Sequence, residues 1–389
     1  MLIEMSRGWL MVVCLAGCNF QVTPSGAVDA PAGTDVPVDV PIDGIPDSCR
    51  AAKVAANSAH TCARMETGDL WCWGKNGQGE VGRPPQMSCL TGVACNPTAE
   101  KVSLPLVTAL GLGDQHTCAI TGATTYCWGA NDSGQFGNAG GDVSTPLEIP
   151  QRAGASAIVA GSTHTCSLHG TVVRCSGANP VGEVGDGTRT TRLMPIVTVN
   201  GGASAIGSGF QHACAISNGF VQCWGSNALT QIDQMAGDAL LPRTIVGIQN
   251  ATAVAAGYDF TCALLAGFDL RCWGANNFGQ LGLGHTDPVT TVATPLINGI
   301  VEISAGVGHA CGRTAAGTVF CWGEGYGPTP TAVILPAPAI SIAVGSYHEC
   351  FALADGSVWC AGWNAYGQRG IGTLAGAQTD PPTRVTLCP

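Results

Sequence analysis

Seven copies of one short signature constrain this chain more than anything else in it. Gly-x-x-His-x-Cys, with departures, places Cys62, Cys118, Cys166, Cys214, Cys262, Cys311 and Cys350 at intervals of 56, 48, 48, 48, 49 and 39 residues. A second cysteine follows each after nine or ten residues: Cys72, Cys127, Cys175, Cys223, Cys272, Cys321 and Cys360. The second usually opens Cys-Trp-Gly-x-Asn-x-x-Gly-Gln-x-Gly, cleanest at 127–137 and 272–282. Short apolar runs, such as 253–256 and 341–344, lie between the signatures with prolines before them. Each repeat therefore supplies about four short strands joined by glycine turns. Four strands at a period near 48 predict one propeller blade per repeat, and seven copies predict an all-β, seven-bladed β-propeller.

Composition agrees with extensive burial between sheets. Only 11% of the 389 residues are charged, against roughly 25% in an average soluble domain. Apolar residues make up 46%, and there are 55 glycines. The net charge of −10 excludes binding to nucleic acid through a basic stripe.

These repeats resemble those of the regulator of chromosome condensation family, across about residues 50 to 388. The resemblance implies a seven-bladed propeller that binds proteins across one face. The founding member of the family is a nucleotide-exchange factor for a nuclear GTPase, and a secreted bacterial relative inhibits β-lactamases. Exchange activity does not carry over, because no segment matches the exchange wedge. The family's plant ultraviolet photoreceptor uses a tryptophan cluster, but the Gly-Trp-Arg-His element is absent here. Several repeats depart from the pattern. Asn57 stands for Gly, Ser176 and Ala361 for Trp, and Phe260 for His. Repeat four loses two glycines between Asn227 and Asp233, and repeat six is cut short after Gly323. Each departure is expected to make one turn irregular.

Strand alternation puts His60 and Cys62 on one face, and likewise His116 with Cys118 and His212 with Cys214. A hairpin then brings the second cysteine of each repeat opposite the first, within disulfide reach. Seven hairpin bridges are expected: Cys62–Cys72, Cys118–Cys127, Cys166–Cys175, Cys214–Cys223, Cys262–Cys272, Cys311–Cys321 and Cys350–Cys360. The same pattern offers His-x-Cys plus Cys to a metal. Against this, the site recurs even where Phe260 replaces His, and no fourth ligand keeps a fixed spacing. No metal and no cofactor is expected. The histidines read as buried groups hydrogen-bonded to backbone. Trp73, Trp128, Trp224, Trp273 and Trp322 read as core between neighbouring blades.

Cys89 and Cys95 lie in the longest interval and are expected to staple a protruding loop. Cys49 and Cys388 flank the repeats. Repeat one lacks a preceding Pro-x-x-Val segment, whereas Pro382-Thr-Arg-Val385 has one. The C-terminal strand is therefore expected to join the N-terminal blade, begun at 51–56, and close the ring, with Cys49–Cys388 locking it.

Twenty cysteines point to an oxidising compartment. Arg7 precedes a short apolar run that ends in Leu15-Ala16-Gly17-Cys18. The run is too short to span a bilayer and suits a signal peptide. Leu-Ala-Gly-Cys resembles a bacterial lipobox, which implies cleavage after residue 17 and lipidation of Cys18. An ordinary cleaved signal, giving a secreted protein, is the alternative. Residues 18–48 form an acidic, proline-rich spacer that favours polyproline II. Residues 49–389 are the propeller.

The expected function is a non-enzymatic binding scaffold of the cell envelope, lipid-anchored at the outer membrane and monomeric, with an unidentified protein partner. A propeller lyase or hydrolase and a purely structural envelope protein are the alternatives, although no catalytic motif appears. The candidate contact loop carries Pro84, Pro85, Met87, Leu90 and Val93, preorganised by the Cys89–Cys95 staple.

Overall fold

In the computed structural model, described for residues 45–388 apart from 91 and 378, seven antiparallel sheets follow one another along the chain. The expected signal peptide, Cys18 and most of the spacer lie outside the described residues. The first blade comprises Ala51–Asn57, His60–Met65, Leu70–Lys75 and Ala94–Val102, with the short Met87–Ser88 strand on its outer edge. The other six have four strands each. Their innermost strands are Ala109–Leu112, Ala157–Ala160, Ala203–Ser208, Ala251–Ala256, Ile300–Ala305 and Ala339–Val344. Small residues suit these positions because seven strands converge there. Among the described residues no helix is long and apolar enough to cross a membrane.

The middle hairpin of each blade is the fixed unit. Cys62 pairs in register with Cys72, and Cys118 with Cys127, through to Cys350 with Cys360. All seven hairpin disulfides are present, with Cα atoms 4.0–4.1 Å apart. Cys89–Cys95 and Cys49–Cys388 bring the total to nine.

Ring closure differs in one particular from the sequence expectation. The C-terminal strand, Thr383–Arg384, pairs with Val358–Gly362 of the seventh blade, not with the blade begun at 51–56. The reason is the frame of the repeat. The proline-bearing outer strand follows each hairpin instead of preceding it, as in Val143–Glu148 and Ala239–Thr244. Blade one therefore uses Ala94–Val102, which holds Pro97. The ring closes at Arg50 and Ala51 instead. Ala51 N–H donates to Gly356 O at 2.9 Å, and the Arg50 guanidinium donates to Asp355 O and Ala354 O. Cys49–Cys388 clamps the same junction.

The signature histidines are buried, but they do not bond to backbone. Each reaches across the seam to the next blade. Nε2 of His60, His116, His212 and His348 lies 2.8–2.9 Å from the hydroxyls of Thr117, Thr165, Thr261 and Thr61. Thr117, Thr261 and Thr61 donate their one proton to carbonyls of Glu80, Gln231 and Gln368. His60, His212 and His348 must then donate through Nε2–H, which fixes that tautomer and leaves their Nδ1 bare and buried without a partner. Burial holds His60, His116, His212 and His348 down at about 3 and His164 at about 4, so all five are neutral. The signature glycine lies against this ring. A Cβ at Gly161 would stand 2.2 Å from His164 Cε1.

The departures are compensated across the same seams. Ala213 replaces the receiving Thr opposite His164, and Ser208 supplies the hydroxyl at 3.0 Å. Phe260 replaces His where the next blade has Ala310, so an apolar pair stands for a polar one. Glu349 takes the Thr position of blade seven. Its carboxylate lies 3.3 Å from His309 Nε2 and accepts from the Tyr326 hydroxyl.

The tryptophan positions follow the same logic. Indole N–H groups of Trp73, Trp128, Trp224 and Trp322 donate to carbonyls of Gln368, Glu80, Glu183 and Gln280 on the preceding blade. Where Ser176 replaces Trp, the fully buried Arg152 occupies the gap. It donates to Phe136 O, Gln135 O, Thr165 O and the hydroxyls of Ser167 and Ser176. Where Ala361 replaces Trp, Tyr326 packs against the cluster that contains it. In repeat four Thr230 adopts φ +59°, doing the work of a glycine. A residue from a neighbouring element thus compensates Ser176, and Thr230 stands in for a glycine, whereas the shortened turn after Gly323 lacks the framing Asn of the other six blades.

Candidate functional site

Because the inner strands pair only on their outer side, the seven together wall a central channel of about 450 Å³. The first variable position of each Gly-x-x-His loop lines it, joined in blade seven by Tyr347 at the second position. Backbone N–H groups tie neighbouring loops together there. Asp114 donates to Gly161 O, Ser162 to Phe210 O, Phe210 to Gly257 O, Tyr258 to Gly306 O and Ser346 to Ser58 O. A second tier of loops frames this mouth. In six blades the Asn of Trp-Gly-x-Asn accepts the N–H five residues on, at 2.9–3.2 Å. The Gln or Glu four residues after that Asn accepts the N–H two residues before itself, as Gln280 does from Phe278. The backbone of the mouth is thus held in place before any partner arrives.

The side chains on this frame are unevenly distributed. In blades four and five, Phe210 and Tyr258 stack with ring centroids 4.0 Å apart and planes 15° from parallel. In blade seven, Trp363 meets Tyr347 and Tyr366 edge-on, at 5.9 and 5.5 Å. Phe278 is 43% exposed and lies against the loop at Gly308. The equivalents of Phe210 and Tyr258 in blades one to three are Ser58, Asp114 and Ser162. Aromatic rings therefore stand at the mouth in blades four, five and seven, and the equivalent loop of blade six has Val307 and Gly308.

Carboxylates accompany the aromatic rings. Burial, then the charges of Asp259 and Asp114 and the phenol of Tyr347, push the Tyr258 hydroxyl up. Burial also raises Asp259, whose Oδ1 accepts from Gln231 Nε2 at 3.1 Å. Glu324 points at Gly308 beside Phe278. Among the described residues none of Asp114, Asp259 and Glu324 forms an ion pair. No Lys or Arg occurs at the fourteen variable positions of the Gly-x-x-His loops. Among the described residues no group of three His, Cys, Asp or Glu side chains is placed to hold a metal ion.

The candidate loop lies elsewhere, on the outer edge of blade one. Met87 and Ser88 pair with Cys95 and Ala94, and the Cys89–Cys95 disulfide closes the hairpin. Pro84, Pro85, Met87 and Leu90 are exposed, with Leu90 at 70%, whereas Val93 is half-buried. Asn96, next to the staple, is fully buried and accepts from Asn76 Nδ2 at 2.8 Å. The hairpin is therefore continuous with the frame of its blade.

The sequence reading passed over the mouth aromatics because it followed the fixed letters of the repeat. They occupy the variable positions, where Phe210, Tyr258 and Tyr347 stand among Ser, Asp, Gln and Thr.

Two models of the regulator of chromosome condensation (RCC1) repeat match the chain. One matches residues 51–80, 251–280, 300–326 and 339–368, and the other residues 124–168 and 272–312. Neither covers 169–250, which holds the departures at Ser176 and Thr230. No curated protein matches the sequence. Human WBSCR16 is similar in structure, at TM-score 0.72 and 19% identity, covering 82% of this chain and 94% of its own. The yeast RCC1 protein Prp20, in a structure bound to Kap60, gives TM-score 0.71 and 20% identity, covering 85% of each chain. Prp20p from Saccharomyces cerevisiae, in a structure titled with its binding properties to Gsp1p and histones, gives 0.71 and 20%, covering 87% of this chain and 88% of its own. At these identities the likeness concerns the fold.

Proposed function

We propose that this chain, a seven-bladed propeller of RCC1 repeats, is a non-enzymatic binding scaffold of the cell envelope that contacts a protein through one propeller face. The observation that carries the reading is the division of labour within the repeat. Fixed letters go into seams, hairpins and loop frames. Side-chain chemistry varies at the mouth, where aromatic rings stand on a backbone held by inter-blade hydrogen bonds. Such a surface favours binding, because little conformational freedom remains to be lost. The structures titled with Kap60, and with Gsp1p and histones, give the same fold a precedent as a protein binder.

Nine disulfides suit an oxidising extracellular environment. The reading adds an anchor at Cys18 and a spacer over 18–48. Replacing Cys18 with Ser should move the protein from the membrane fraction to the soluble fraction. Retention in the membrane would remove the anchor from the proposal.

Binding itself is tested by immobilising the oxidised protein and challenging it with envelope extract. One dominant partner is expected, retained by the wild type and diminished at least tenfold, about 1.4 kcal/mol, by changes on one face only. Met87→Ala with Leu90→Ala probes the stapled hairpin, and Tyr258→Ala probes the mouth. A partner insensitive to both sets, or none at all, would defeat the scaffold reading.

A further inference from the structure

We infer that the channel mouth docks a basic segment of a protein, receiving a Lys or Arg side chain among the aromatic rings of blades four, five and seven. This rests on the scaffold reading and gives its partner a chemistry.

Three features converge on that occupant. The mouth is a cavity entrance with a fixed backbone, walled by small apolar residues such as Val54, Ala160, Ile206 and Ala343. A long basic side chain laid across the rim can cover apolar surface with its aliphatic stem and set its charge among the rings and carboxylates there. The rings of Phe210, Tyr258, Tyr347 and Trp363 expose the π faces and edges that attract a cation. Asp114, Asp259 and Glu324 lie beside them without a cationic partner, on a chain of net charge −10. Two carboxylates of the neighbouring loops are matched: Lys75 is 3.5 Å from Glu80, and Arg369 is 2.8 Å from Asp380. Asp114 lines the opening itself, and Asp259 follows Tyr258 in its loop. Complementary charge of this kind selects partners and speeds their encounter.

The test uses the oxidised protein and isothermal titration with three probes. They are an octapeptide carrying four Arg among Gly and Ser, the same peptide with Gln for Arg, and chitotetraose. The Arg peptide should bind one to one, weaken as salt rises, and lose at least tenfold in affinity in both Tyr258→Ala and the Asp114→Asn, Asp259→Asn double variant. Glu148→Gln, on an outer strand, should bind as wild type does. Unchanged thermal unfolding in the amide variants keeps a lost fold from imitating a lost site. Equal binding of the Gln peptide, Arg-peptide affinity indifferent to the mouth variants, no binding at all, or displacement by chitotetraose would each overturn the inference. An extract partner that depends on Met87 and Leu90 but not on the mouth would leave the scaffold reading standing and remove this one alone.

Discussion

Between pH 7 and pH 5 the propeller is expected to lose several kcal/mol of stability. Five signature histidines have folded pKa values of about 3 or 4, against 6.5 unperturbed. Below 6.5 the unfolded chain takes up protons that the folded chain refuses. Their stabilisation is therefore complete above pH 6.5 and lost progressively down to pH 3–4. At pH 5 each costs about 2 kcal/mol, on the order of 10 kcal/mol together. Glu183, raised to about 7 mainly by burial, acts in the opposite direction and returns about 3 kcal/mol by pH 4.5. Burial raises Glu80 as well, and it acts in the same sense as Glu183. The histidines outnumber them. Urea midpoints at pH 7, 6 and 5 should fall steeply, and a flat profile would contradict the neutral seam. His212→Phe combined with Thr261→Ala copies the Phe260 and Ala310 seam and should reduce the slope. Thr261→Ala alone should cost about 1–3 kcal/mol, because it strands a buried N–H.

Removing the Cys49–Cys388 bridge should destabilise more than removing any hairpin bridge. The loop it closes has a sequence separation of 339, and the chain-entropy relation gives about 6 kcal/mol for it, against about 2.7 kcal/mol for a ten-residue hairpin loop. The closing seam otherwise rests on non-covalent contacts, Arg50 and Ala51 with 354–356, Thr61 with His348, Trp73 with Gln368 and Ser346 with Ser58. Chemical denaturation of the Cys49→Ser, Cys388→Ser double variant should show the larger fall in midpoint when set beside Cys262→Ser, Cys272→Ser. Amide exchange should accelerate first in 51–57 and 339–344. Equal midpoints would place ring closure in the strands instead.

The blades were legible because their information is local. A period near 48, alternation through His60 and Cys62, and glycine at the turns all act within a few residues. The seam partners were not legible. Arg152 and the Ser176 it replaces as Trp stand 24 residues apart, and Phe260 and Ala310 fifty, with nothing in either segment alone to link them. Each departure reads as a loss when its repeat is compared with the others, and as a fit only beside its neighbour. The closing strand was assigned to the wrong blade for a related reason. A repeat has no visible beginning, so Pro382 could be counted before a hairpin or after one. The mouth escaped notice because a binding surface carries no period.

The seams also bear on counting. A ring of similar hairpins has no inherent number of members, and a chain of them has to avoid skipping one or pairing with another molecule. Here the contact faces are lettered. His212 meets Thr261, but Phe260 meets Ala310, His309 meets Glu349, and Arg152 occupies one of the two seams that lack a tryptophan. Setting blade five beside blade two would bury Thr117 against a phenyl ring. Setting blade six beside blade one would leave the Glu349 carboxylate without His309. Both of these misorderings lose a buried polar contact that the order one to seven makes. Moving a blade to a new position, in the laboratory or by gene duplication, would require moving half of each neighbouring pair with it.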